Sequence, residues 1–220
     1  MLGPHPSAYD ASFGGPKSNK ESGPIWSADV FWVVRVKAIR DYRSNRMIWT
    51  RIDVDRPNYV LTSSDGKDTL ATLRYDDPRA VGESGMIAQI SEAVYSLSSQ
   101  GWMLRTQIEL RRLDSSFTKI GELISGDAKG TWKIRIEDGE TQTLRREASG
   151  TYCLSAGASK PHWVIRPTSG NPPAMGSPLQ GGSIEVSGGS LRFDDNLLLS
   201  IVICWYFIWR DSVEAPAVIA

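Results

Sequence analysis

The sequence predicts a mainly β protein, a closed antiparallel barrel of short strands around a buried hydrophobic C-terminal helix. Three observations carry this. Segments alternating polar and apolar residues recur at short intervals from about residue 30 onward. Asp65-Gly66 and Asp138-Gly139 stand between such segments, and Asp-Gly supplies the positive φ of tight hairpins. Finally, residues 197–209 read LLLSIVICWYFIW, thirteen residues with no charge and Ser200 as the one plainly polar side chain. A sheet with one apolar face must bury it, and a helix apolar on every side must be surrounded. A barrel closed around the helix satisfies both and leaves no strand edge exposed.

The elements follow in chain order. Residues 1–25 are rich in Gly, Pro and Ser and cannot bury enough apolar surface to offset their ordering entropy, so they read as a disordered arm. In 30–39, Val30, Trp32, Val34, Val36 and Ala38 share one face while Arg35 and Lys37 share the other. In 47–54, Ile48, Thr50, Ile52 and Val54 alternate with Trp49, Arg51 and Asp53, which places Trp49 outward as a candidate interface residue. Residues 58–75 form the clearest hairpin, and 132–146 repeat the device. Between them 102–113 alternates as one long strand, while 85–98 fits either a helix or a strand beginning at Met86. Later strands are expected at 151–155, 162–166, 183–186 and 191–193, with a Pro/Gly-rich loop at 167–182.

The closing apolar run is read as a helix over about 195–209, with Leu197, Leu198, Ile201, Val202, Cys204, Trp205 and Ile208 as its structural core positions. Asp194-Asp195-Asn196 supply N-cap chemistry and Arg210 suits a C-terminus. Thirteen helical residues cover about 20 Å, whereas a bilayer core needs about 30 Å. The segment is therefore expected inside the protein rather than in lipid. Residues 26–212 form a single domain on this reading, followed by a tail at 213–220.

Composition bounds the function. Twenty-five basic residues balance twenty-five acidic ones, unlike the basic excess of a dedicated nucleic-acid binder. Two cysteines, Cys153 and Cys204, fit a reducing compartment. With no N-terminal apolar signal region, this leads to an intracellular, cytoplasmic expectation. The chain contains no P-loop, no G-x-S-x-G and no Gly-rich dinucleotide fingerprint. His162 has no Cys or second His at ligand spacing. No catalytic residue, metal or cofactor is therefore expected, and the protein is read as non-enzymatic.

This order of features resembles the tubby-like superfamily of tubby C-terminal domains, phospholipid scramblases and plant LURP-one-related proteins. The resemblance lies in the N-terminal arm, in serial hairpins such as Tyr59-Val60-Leu61 with Asp65-Gly66 and Leu70-Ala71-Thr72-Leu73, and in the acidic entry Asp194-Asp195 before the hydrophobic stretch. It covers roughly residues 26–210. It implies a twelve-stranded barrel around a central helix and non-enzymatic work at membranes, by binding phosphoinositides or other lipids.

The basic residues concentrate early. Arg35, Lys37, Arg40, Arg43, Arg46 and Arg51 form the candidate anionic-lipid surface, each near-membrane cation being worth about 1 kcal/mol. The competing reading is a solvated outer strand face. The expected partner is an anionic membrane lipid or a protein, with the chain peripheral at membranes. Two alternatives stand beside it: a tail-anchored membrane protein, and a barrel that binds a small molecule or acts on carbohydrate.

Overall fold

The computed structural model describes residues 43–75, 85–100, 107–126, 128–157, 162–169, 179–187, 191–192 and 194–214. All of them belong to the compact unit Val34–Ala220. The expected arm at 1–25 and strand at 30–39 lie outside the described residues.

The strands are β1 (Arg43–Ser44), β2 (Arg46–Arg51), β3 (Tyr59–Ser63), β4 (Thr69–Tyr75), β5 (Gly85–Ile90), β6 (Ala93–Gln100) and β7 (Gln107–Arg112). They continue as β8 (Lys119–Ser125), β9 (Thr131–Ile136), β10 (Gln142–Arg146), β11 (Tyr152–Ser155), β12 (His162–Ser169), β13 (Leu179–Ser187) and β14 (Leu191–Arg192), before helix α1 (Asp195–Glu214). Strands β2 to β13 pair in sequence order, each antiparallel to the next, and β13 returns to β2. This is a closed twelve-stranded barrel. An even number of up-and-down strands is what lets the last pair antiparallel with the first. The short β1 and β14 pair separately from the barrel.

The inward residues follow the period of two. Met47 and Trp49, Tyr59 and Leu61, Met86 and Ala88, Ile108 and Leu110, Leu144, Leu154 and Ile165 are all buried. Helix α1 supplies the other half of this core, since every residue from Leu198 to Ile208 is buried. Its N-terminus is capped as its sequence suggests, with the Leu197 N–H donating to Asp194 Oδ1 at 2.7 Å. Ser200, buried in the apolar run, donates to the Asn196 carbonyl at 2.9 Å. A hydroxyl thus satisfied costs little.

Several expectations are corrected. The helix runs to Glu214 and has 20 residues, so Arg210 stands inside it rather than at its end. At about 30 Å it is long enough to cross a bilayer, and it is apolar enough over Asp195–Val213, of which 61% is buried. Enclosure by strands, not shortness, is what makes it a core element. The faces of β2 are the reverse of the expected ones. Met47 and Trp49 point inward, and beyond the strand Ile52 and Val54 are exposed. Residues 85–98 hold no helix but the β5–β6 hairpin, turned at Ser91 with a φ of 53°. Strand β8 is an addition to the expected set. The 167–182 loop is shorter than expected, because β12 extends to Ser169 and β13 begins at Leu179.

Candidate functional site

The first candidate is the lumen, and the buried helix α1 occupies it. Trp205 of α1 stacks on Trp49 of β2, with centroids 5.4 Å apart and planes 15° from parallel. Tyr59 of β3 meets Trp205 edge-on at 5.7 Å. On another side, Phe207 packs against Trp132 at 4.4 Å and Tyr152 at 6.3 Å. Gly121 of β8 lies beside Ile203. Strands from all round the barrel therefore touch the helix. Gly182 makes room for the largest of these side chains. A Cβ there would come 2.8 Å from Trp205 Cη2 and 2.5 Å from the Arg166 carbonyl oxygen. The Tyr59 hydroxyl donates to the Leu179 carbonyl at 2.8 Å, and burial pushes its pKa up to about 12. The buried indole N–H groups of Trp49 and Trp205 find no acceptor among the described residues, a cost of about 1–3 kcal/mol each that the surrounding apolar burial outweighs. Cys204 is fully buried, and desolvation raises its thiol pKa. It is a packing residue, not a nucleophile.

The second candidate is the mouth where the C-terminal half of α1 leaves the barrel. Asp211 accepts from Arg146 Nη1 and from the Tyr152 hydroxyl, both at 3.0 Å, tying the helix to β10 and β11. Burial, reinforced by the Asp211 charge, raises the Tyr152 phenol well above its usual range. Across the mouth, the loop joining β2 and β3 is held by its own polar groups. Asp53 accepts from the Asp55 amide at 2.9 Å, the Arg56 amide at 3.3 Å and Asn58 Nδ2 at 3.0 Å. The Asp55 amide bond leads the causes that hold the Asp53 carboxyl below its usual range. Arg51 donates from Nη2 to the Val54 carbonyl at 2.9 Å and from Nε to the Arg56 carbonyl at 3.3 Å. The loop so braced presents Ile52 at 60% and Val54 at 90% exposure. Beside it lies a recess of about 330 Å³ lined by Pro57, Tyr75, Ser99, Tyr206, Trp209, Arg210 and Val213.

The third candidate lies on the outer face. Glu109 of β7 stands directly opposite Glu122 of β8, a pairing that repels unless a cation intervenes. Lys119 Nζ intervenes, 3.2 Å from Glu109 and 2.8 Å from Glu122. Arg111 adds a 2.8 Å pair to Glu109, and Arg135 one of 3.4 Å to Glu122. Burial alone would raise the Glu109 carboxyl, but the hydrogen bonds from Arg111 and Lys119 outweigh it and the net shift is downward. The Lys119 hydrogen bond likewise lowers Glu122. Two facing carboxylates are what general acid–base hydrolysis uses, yet it needs one of them protonated at neutral pH. Both here are held ionised, an arrangement that joins strands. Neither carboxylate was expected as part of a site, because β8 was not legible. Among the described residues, no group of three or more His, Cys, Asp or Glu side chains is placed to hold a metal ion.

The basic cluster is only partly placed. Arg35, Lys37 and Arg40 lie outside the described residues, and for Arg43 only its backbone in β1 is described. Arg46 faces outward with its Nε 3.5 Å from Glu185, which Arg166 Nη1 also engages at 2.5 Å. Arg51 sits at the other end of β2, bound into its loop. The structure therefore does not bring Arg46 and Arg51 together in one patch. Of the helix residues, Leu198, Ile201, Val202, Cys204, Trp205 and Ile208 are all core, and Leu197 packs against the core while partly buried.

These features define a class, a closed twelve-stranded antiparallel barrel whose lumen is occupied by its own C-terminal helix. Comparison with protein-family models, with curated proteins and with solved structures finds no match to the chain.

Proposed function

We propose that this is a non-enzymatic barrel of the tubby-like kind that works through its outer surface, as an intracellular scaffold at anionic membranes. The observation carrying this reading is the filled lumen. A barrel that binds a small molecule in its interior keeps a chamber of about 300–1,000 Å³. Here Trp205, Phe207 and Ile203 take that space against Trp49, Trp132 and Gly121. The same enclosure argues against the tail-anchored alternative, since a helix packed on strands offers lipid little surface. Twelve strands around a central helix is also the architecture that the family resemblance implies.

With no net charge overall, attraction to a membrane must come from a local basic surface, for which the segment from Arg35 to Arg51 is the candidate. Co-sedimentation of the full chain with phosphatidylcholine vesicles, with and without a phosphoinositide, tests this. Binding to the phosphoinositide vesicles is expected, weakening as salt screens it. Charge reversal at Arg35 and Lys37 is expected to weaken it further at unchanged melting temperature. Equal binding to both vesicles, or none to either, overturns the anionic-lipid reading in favour of a protein-binding scaffold.

A further inference from the structure

We propose that the last turn of α1 is a gate on the recess at the helix-exit mouth. It opens while the rest of the helix stays packed, and Arg146 of β10 is the latch that holds it shut.

The helix changes character after Ile208. Every residue from Leu198 to Ile208 is buried, and Phe207 packs into the barrel wall against Trp132 and Tyr152. From Trp209 to Ser212 the residues are half-buried, and Val213 is exposed. Trp209 still meets Tyr75 edge-on at 6.2 Å. Beyond it the tie to the barrel is polar, through Asp211. A segment with little apolar burial opens locally at a smaller cost than a core segment does.

The turn draws little stability from its own residues. It holds no basic side chain, and Asp211 puts a negative charge at the end of the helix where the macrodipole is already negative. Ser212 turns its hydroxyl onto the Trp209 carbonyl at 2.6 Å, a bond that competes with the backbone for the same acceptor. Helical order here depends on groups from the barrel. Arg146 Nη1 lies 3.0 Å from Asp211 Oδ2, and the Tyr152 hydroxyl donates to that same oxygen at 3.0 Å. Because they share one acceptor atom, both bonds are lost together when the turn lifts. The buried Tyr152 hydroxyl is then left without its acceptor, which favours the closed position.

The same turn helps to wall the recess. Trp209, Arg210 and Val213 come from the helix end, while Pro57, Tyr75 and Ser99 come from the barrel. Unwinding 211–214 carries Val213 away and widens the recess, and the buried residues up to Ile208 keep the lumen occupied.

Hydrogen exchange of the full chain, measured in a series of urea concentrations below the unfolding transition, tests this. In the wild type, the amides of 211–214 are expected to exchange roughly tenfold or more faster than those of 202–208. Their rate is expected to stay flat with urea, since a local opening exposes little surface, while the rate at 202–208 rises steeply. Equal rates and equal urea dependence in the two segments would show one cooperative helix and overturn the gate. The latch is tested with Arg146→Gln, whose half-exposed site is expected to tolerate the change, as a cooperative melt verifies. Exchange at 211–214 in that variant is expected to rise about tenfold, the scale of losing one charge-assisted hydrogen bond. An unchanged rate there would remove Arg146 as the latch.

Discussion

At Gly182 the absence of a side chain decides how the helix fits. A methyl group there would meet the Arg166 carbonyl oxygen, which is backbone, and the ring of Trp205. Neither gives way without moving a strand or the central stack. Gly182→Ala is therefore expected to destabilise by about 1–3 kcal/mol, the usual cost of overpacking, read as a lower urea midpoint with unchanged slope. Lys119 decides a second local question, because it separates Glu109 from Glu122. Both carboxyls have folded-state pKa values below their ordinary ones. Their contribution is thus complete above the unfolded carboxylate range and is lost as pH falls through the lower, folded values. Lys119→Met is expected to cost about 1 kcal/mol at neutral pH, the scale of a like-charged cross-strand pair. The difference between variant and wild type is expected to shrink in acid, where the carboxylates are protonated. Denaturation curves at neutral and acidic pH measure this directly, and a gap that widens in acid contradicts it.

At the scale of elements, the hairpins and the helix were legible because local chemistry and packing agree. Gly66 takes the positive φ of 71° that its turn needs. In the second hairpin the residue with positive φ is Asp138 at 58°, one position before the glycine. The helix was legible in kind but not in extent. Arg210 and Asp211 look like a boundary in sequence, yet Asp211 is bound by Arg146 and Tyr152, so the helix continues across the mouth. Strand β8 was hidden because one of its inward positions is Gly121, which contributes no apolar side chain to the alternation. The faces of β2 were misread because Ile52 and Val54 extend an apparent alternation past the strand's end. They belong to the loop, and with them removed Met47 and Trp49 are the apolar pair. The outer carboxylate pair could not be seen without β8, since it depends on the register between two strands. Of the basic cluster, sequence proximity suggested one surface. Five residues along an alternating strand instead put Arg46 and Arg51 at opposite ends of β2.

For the whole molecule, the account rests on one arrangement. The chain closes twelve strands around its own last helix, so its interior is a core and its chemistry is left to the rims and outer face. Arg46 faces outward from β2, which is why binding is sought on the outer surface. Cys204 reports on the arrangement most directly, because it sits at the middle of the helix and is wholly buried. A Cys153→Ser variant leaves it as the one thiol of the chain. Its labelling by a water-soluble thiol reagent in detergent-free buffer can then be compared with labelling of the urea-unfolded chain. If the helix fills the barrel, labelling requires an opening that costs a large share of a stability of about 5–15 kcal/mol, and the native rate should be slower by several orders of magnitude. Native labelling at a rate close to that of the unfolded chain would contradict the helix-filled barrel.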